Sequence, residues 1–175
     1  AEDSGVSEHD LDIVRAETKF VAGLPSDGRG GNPSPFTARG VYRGIEAAVR
    51  FKLGRESMTD VRVAILGAGA VGMELARLLH QAGAALTVAD VNEAAVREAA
   101  QRFGATAVSP AECIAAEVDV FAPCALGGAI NAETIGRLKA PIVAGAANNQ
   151  LATPDMDALL MEEGVLYAPD YVINA

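Results

Sequence analysis

Residues 61–81 read VRVAILGAGAVGMELARLLHQ, a short apolar run, three glycines in the spacing G-x-G-x-x-G at Gly67, Gly69 and Gly72, and then apolar residues at helical spacing. A strand that turns at once into a helix constrains this chain more than any other feature, because it commits the segment to a parallel sheet with a helical crossover. Each glycine serves a different need. Gly67 permits the tight turn, Gly69 lets a pyrophosphate approach the backbone, and Gly72 lets helix and strand pack closely. The helix N-terminus then directs its N–H groups at the phosphates. Eighteen residues past Gly72, at the end of ALTVAD, stands Asp90, placed to accept hydrogen bonds from a ribose diol. Val91 and Asn92 follow it, and the first downstream arginine, Arg97, falls two turns along the next helix. A carboxylate without an adjacent arginine disfavours a 2′-phosphate, so the expected dinucleotide is NAD rather than NADP.

Around this unit, apolar runs alternate with helical patterns. VRVAIL, ALTVA, VDVFAP, PIVAG and GVLYA read as strands, with helices starting near Ala70 and Asn92. The expected fold is α/β: a Rossmann-type, doubly wound, mostly parallel sheet with helices on both faces. In the first helix Glu74, Arg77 and Gln81 share a polar face against Val71, Leu75, Leu78 and Leu79. In the second, Val96, Ala99, Ala100 and Phe103 form the inward stripe.

Upstream, residues 23–35 (GLPSDGRGGNPSP) hold seven glycines or prolines and read as a loop or linker. Before it, Leu11, Val14, Phe20 and Val21 recur at roughly helical spacing and suggest one amphipathic helix. After it, Thr37 is placed to cap a helix through about Phe51, with Val41, Ile45, Ala48 and Val49 on one face and Gly54 near its end. Residues 1–36 are thus a preamble with its linker, and residues 37–175 the dinucleotide-binding domain.

Composition narrows the function. Fourteen Lys and Arg against 23 Asp and Glu leave a net charge of −9, which repels nucleic-acid phosphates and anionic bilayers alike. No apolar run approaches the roughly 20 residues needed to span a bilayer, and no signal peptide is visible, so a cytoplasmic setting is expected. Cys113, Cys124, His9 and His80 are too few and too scattered for a disulfide framework or a metal site, and none is expected.

The segments APCALGGAI (122–130) and AGAANNQL (144–151) follow apolar runs, so both should lie outside the carboxyl ends of strands, where ligands of open α/β sheets bind. Cys124, far in sequence from either histidine, reads as a small apolar packing residue rather than a nucleophile. Asn148 and Asn149 are equally readable as turn formers or as ligand-binding amides. Asp3, among Glu2, Glu8, Asp10 and Asp12, reads first as solvated surface.

NPSPFTARGVYRGIEAA, LGAGAVG, VDVFAPCALGGAIN, VAGAANNQL and LYAPDYVINA together resemble the glutamate/leucine/phenylalanine/valine dehydrogenase family, in particular its leucine, phenylalanine and valine branch. The resemblance runs from Asp3 to Ala175. It implies NAD-dependent, reversible oxidative deamination of a branched-chain or aromatic L-amino acid to a 2-oxo acid and ammonia, in a two-domain subunit that assembles as a homo-oligomer. By this resemblance Gly67, Ala68, Gly69, Ala70, Val71, Gly72 and Met73 form the dinucleotide turn, and Asp90 with Val91 the adenosine-ribose end. Cys124 and Ala125 form a loop over the cofactor, Ala146, Ala147 and Asn148 the loop beside nicotinamide and substrate, and Thr37 lies near the nicotinamide amide. Asp3 becomes the aspartate of proton transfer, next to Ser4 on the cofactor side, although Val6 stands where the family carries threonine. The family also uses a lysine in a glycine-rich stretch, whereas Lys19, Lys52 and Lys139 follow no glycine run. The chain is therefore expected to be a fragment that lacks the amino-terminal substrate domain and to be inactive alone. Two other readings remain open: an NAD-binding regulatory module without catalysis, and a different Rossmann enzyme such as a hydroxy-acid dehydrogenase, which would want a histidine–carboxylate pair.

Overall fold

The structure is a computed structural model and describes Val6, residues 8–21, Leu24 and residues 32–174. The chain divides into two units, Ala1–Phe36 and Thr37–Ala175. In the first, helix α1 spans Glu8–Glu17. Leu11 is buried there, but Ile13 and Val14 are exposed. The expected stripe does not extend to Phe20 and Val21, because the helix has already ended. Thr18 Oγ1 accepts a hydrogen bond from the Phe20 N–H at 3.3 Å, a local turn that competes with further helix.

Helix α2 runs Ser34–Leu53, so it starts within the stretch read as linker and places Thr37 inside its first turn rather than at its cap. Asn32 Oδ1 accepts from the Ser34 N–H at 2.8 Å, and Pro35 sits in the first turn, where a missing N–H costs no helical bond. The prolines that looked like breakers are compatible with a helix start. At the other end Gly54 (φ +66°) returns its N–H to Arg50 O at 3.0 Å and stops the helix. Ala38, Val41, Ile45, Ala48 and Val49 form the buried stripe.

Then follow β1 (Arg62–Leu66), α3 (Ala70–Gln81), β2 (Ala85–Ala89), α4 (Glu93–Phe103), β3 (Thr106–Ala107), α5 (Pro110–Ile114) and β4 (Val120–Pro123). The chain continues through a 3-10 turn at Ile135–Arg137, β5 (Ile142–Val143), α6 (Met156–Glu162), β6 (Leu166–Tyr167) and α7 (Asp170–Ile173). The strands form one six-stranded, all-parallel sheet in the order β3-β2-β1-β4-β5-β6. This is the doubly wound order, whose direction of winding reverses between β1 and β4. Alternation along β1 feeds two cores: Val63 and Ile65 join α2, α3 and α4 on one face, while Ala64 joins Phe121, Val143, Met156 and Leu160 on the other. Both faces are covered, as the Val- and Ile-rich strands require. The chain thus has the Rossmann-like α/β fold expected of it.

Helix α3 packs on the sheet through Gly72. A β-carbon there would collide with the carbonyl oxygen of Gly67, and backbone cannot swing aside as a side chain can. Gly72→Ala should therefore lower stability by about 1–3 kcal/mol or more, the usual scale of overpacking, read as a lower urea midpoint at unchanged slope. An unchanged midpoint would show that the helix has room to lift.

Candidate functional site

The carboxyl ends of β1, β2, β4 and β5 converge where the winding reverses, and the glycine turn lies among them. Gly67 adopts φ +112°, outside the range that L side chains favour, and a β-carbon there would stand 2.5 Å from the Ala125 N. Its N–H donates to Ala89 O at 2.8 Å, joining the turn to the end of β2. Gly69 differs from its neighbours. It is the N-cap of α3 at an ordinary φ of −73°, and a β-carbon on it would meet nothing within 4 Å among the described residues. Met73 N–H donates to Gly69 O at 2.9 Å, which opens the α3 ladder. The earlier amides of the first turn have no intrahelical acceptor, so the exposed mouth at Gly69 and Ala70 faces outward with donors.

Asp90 is half-buried just beyond β2. One carboxylate oxygen accepts from the Ala68 N–H at 2.6 Å and the other from the Asn92 N–H at 2.7 Å. It therefore braces the glycine turn, a structural duty that spacing alone did not reveal. A carboxylate offers about four acceptor positions, so each oxygen keeps capacity for a ligand donor. Val91 beside it is 92% exposed, an apolar side chain left open at the strand end. Asn92 then caps α4 by accepting from the Ala94 N–H at 3.0 Å.

Beyond β4, Cys124 donates its N–H to Leu66 O at 2.7 Å, and Ala125 and Leu126 are exposed. Burial pushes the Cys124 thiol up to about 12, partly offset by the Ala146 backbone. Cys113, fully buried in the core, is likewise pushed up to about 12 by desolvation. Neither thiol is a nucleophile near neutral pH.

The segment after β5 is pressed onto this loop. Gly145 lies so close to Pro123 that a β-carbon would collide with the Pro123 carbonyl oxygen, and Ala147 N–H donates to that same oxygen at 2.9 Å. Ala146 and Ala147 are buried, while Asn148 and Asn149 emerge exposed. The paired amides divide their work. Asn149 is the turn former, at φ +52°, with its carbonyl accepting from the Gly128 N–H at 2.8 Å and its N–H reaching Asp170 Oδ2 at 3.0 Å. Asn148 keeps its carboxamide in the open, touched by Asn174 Nδ2 at 2.9 Å.

Sequence reasoning missed three contributors here. Gln150 is fully buried and donates Nε2–H to Gly145 O at 2.7 Å, with no partner for its Oε1 among the described residues. Asp170 and Asn174 fasten α7 to the Ala146–Asn149 loop. Their only sequence signal is polarity within the otherwise apolar ends NNQL and DYVINA. Thr37 is half-buried in the first turn of α2 and makes no hydrogen bond to the glycine turn or the strand-end loops. Asp3 and Ser4 lie outside the described residues. His9 and His80 are exposed on α1 and α3, and among the described residues no three His, Cys, Asp or Glu side chains gather as metal ligands would. No helix among them is long and apolar enough to cross a membrane.

Residues 87–175 match the family described as glutamate/leucine/phenylalanine/valine dehydrogenase. The chain belongs to that family. It is 49% identical to a leucine dehydrogenase from Bacillus cereus over 176 aligned positions, covering all of this chain and 48% of that enzyme. A valine dehydrogenase from Streptomyces albus is 41% identical over 177 positions, 99% of this chain and 49% of that one. The crystal structure of L-tryptophan dehydrogenase from Nostoc punctiforme superposes with a TM-score of 0.80 at 41% identity, across 99% of this chain and 49% of the other. The chain thus spans about half the length of these relatives.

With both thiols near 12, the native protein should hold on the order of a thousandfold less thiolate at pH 8 than free cysteine, whose pKa is about 8.5. Alkylation followed peptide by peptide should be correspondingly slow at Cys113 and Cys124, and should accelerate on unfolding in urea. Rapid labelling of folded Cys124 would mean that its loop opens.

Proposed function

We propose that the protein to which this chain belongs is an NAD-dependent amino-acid dehydrogenase that deaminates a branched-chain or aromatic L-amino acid to its 2-oxo acid and ammonia, this chain supplying the cofactor half. Gly69 is the observation that carries the cofactor reading. The fold itself demands glycine at Gly67 and Gly72, but none of the described residues demands it at Gly69, where φ is ordinary and no described residue occupies the space ahead. A residue kept without a side chain next to open space and unpaired helix N–H groups suits a phosphate pressed against the backbone.

In this reading Gly67–Met73 hold the pyrophosphate, and Asp90 takes the adenosine ribose hydroxyls while Val91 offers its exposed face to the adenine. Cys124 and Ala125 line one side of the cleft and Ala146 and Ala147 the other. Asn148 hydrogen-bonds the substrate and Thr37 the nicotinamide amide, with Ser4 on the cofactor side. When bound, the nicotinamide supplies the hydride acceptor. The chain's own task is to hold that reacting centre in place, exclude water and move protons. Asp3 is the proton-transfer residue. The lysine this chemistry also uses belongs to the half of the relatives' length that the chain does not span. The assembled enzyme is taken to be a cytoplasmic homo-oligomer working on small molecules, with support from its family rather than from any contact within this chain.

The test is NADH formation by the full-length protein with leucine, valine and phenylalanine in turn, against 2-hydroxy acids as controls. Amino-acid turnover with NAD is expected to exceed that with NADP by about tenfold or more in kcat/KM, since Asp90 repels a 2′-phosphate and 1.4 kcal/mol suffices for tenfold. Turnover of hydroxy acids alone, or a preference for NADP, would overturn the reading. Gly69→Val should weaken NAD binding by about a hundredfold, roughly 2.7 kcal/mol, with little change in circular dichroism, because the valine fills only the space reserved for phosphate. Undiminished affinity would put the phosphates elsewhere.

Asp3→Asn in the full-length protein keeps the size of the side chain but cannot take up a proton. Turnover should fall by about 10²–10⁴-fold, the usual contribution of a positioned acid–base group, while NAD affinity barely moves. Near-normal turnover would remove Asp3 from the chemistry.

A further inference from the structure

Asn174 closes the described chain at the end of α7, and its carboxamide touches two groups of the loop after β5. Its Nδ2 lies 2.6 Å from Ala146 O and 2.9 Å from Asn148 Oδ1. The first contact settles the second. A backbone carbonyl can only accept, so Asn174 must turn its NH2 toward Ala146. The remaining N–H of that NH2 then points at Asn148, whose near atom has to be the oxygen. The Asn148 Nδ2, with two N–H donors, is thereby turned away from Asn174, and among the described residues nothing accepts from it. Asn174 is itself held firmly. Its neighbour Ile173 is buried against Gly44 of α2, closely enough that a β-carbon on Gly44 would stand 2.5 Å from Ile173 Cγ2. Asp170, at the other end of α7, accepts from the Asn149 N–H and from the Tyr167 hydroxyl.

We propose that Asn174 is a positioning residue: it fixes the rotamer and face of the Asn148 carboxamide so that Asn148 meets the substrate as a hydrogen-bond donor, to a carboxylate or 2-oxo oxygen. The inference rests on the amino-acid dehydrogenase reading above and adds to it the orientation of the amide and the residue that sets it. A donor fixed in advance favours oxygen acceptors and gives nothing to an ammonium group, which also donates. Asp170 and Ile173 set the height of α7, and Asn174 converts that height into the direction of one amide.

The test is a double-mutant cycle in the full-length protein, read on reductive amination of the 2-oxo acid of leucine and, separately, on NADH affinity by fluorescence titration. Asn174→Asp removes both donated bonds and presents acceptors instead, so the Asn148 carboxamide turns over and offers oxygen to an anionic substrate. The KM for the oxo acid should rise about tenfold or more, the scale of one hydrogen bond to a charged group, while the NADH Kd stays within about twofold. Asn174→Ala should give a smaller rise. Combined with Asn148→Ala it should cost nothing beyond Asn148→Ala alone, because Asn174 acts only through Asn148. A merely structural Asn174 would add its loss to that of Asn148→Ala, and such additivity overturns the proposal. So does an unchanged KM in both Asn174 variants, or a KM that stays fixed while NADH affinity falls. A wild-type protein without amino-acid turnover would overturn the dehydrogenase reading and this inference with it. Turnover with additive losses would overturn this inference alone.

Discussion

The approach of Gly72 to the carbonyl oxygen of Gly67 is the contact on which the rest of the structure depends. It sets how tightly α3 descends on β1, and so where the N-terminus of α3 opens relative to the strand ends. The turn between them is held from both sides. Ala68 N–H is bound by Asp90 beyond β2, and Gly67 abuts the Cys124–Ala125 backbone beyond β4. Three strand ends thus share one short turn, and a loosened glycine would be felt at all three. Close packing leaves such a junction little room to relax, because backbone meets backbone rather than the tip of a side chain.

The fold was legible wherever burial on both faces wrote an apolar run. β1, β2 and β4 were read from VRVAIL, ALTVA and VDVFAP, and α3 and α4 from stripes that prove buried at Leu75, Leu79, Val96, Ala99 and Phe103. What escaped was short or exposed. β3 is two exposed residues on the sheet edge, paired only through Thr87 and Val88, and no run of six could announce it. α5 is five residues long and is specified by the reciprocal Ser109–Glu112 cap rather than by periodicity. α2 starts earlier than its Pro-rich sequence suggests because Pro33 precedes the helix and Pro35 stands in its first turn, and proline breaks a helix only past that turn.

The site divides in the same way. Its glycine turn is legible because G-x-G-x-x-G between a strand and a helix is a local pattern, although the groups that hold the turn, Ala89, Asp90 and Ala125, stand 22 or more positions away. Its tertiary half is not. Asn148 meets Asn174 across 26 positions and Asn149 meets Asp170 across 21, and no spacing rule links such pairs. Residue type alone leaves Asn148 and Asn149 equivalent, and only the family resemblance singles out Asn148. The structure separates them, giving Asn149 the left-handed turn and leaving Asn148 an exposed carboxamide whose oxygen accepts from Asn174.

Asp90 shows why a motif residue should not be assigned one duty. If it only bound a ribose, its carboxylate would stand free; instead each oxygen already accepts a backbone N–H, one from the glycine turn and one from the cap of α4. Bonds from a backbone N–H to a carboxylate are the stronger kind. The negative charge proposed to discriminate between dinucleotides is therefore also the charge that holds the glycine turn in shape. Neutralising it would disturb two backbone positions at once, the Ala68 amide in the glycine turn and the Asn92 amide at the start of α4. Gly69 carries no such second duty, since neither its backbone angles nor its surroundings require glycine. Among the glycines of this turn it is the one whose identity packing by the described residues leaves unexplained, and that is why the proposed phosphate contact rests on Gly69 rather than on Gly67 or Gly72.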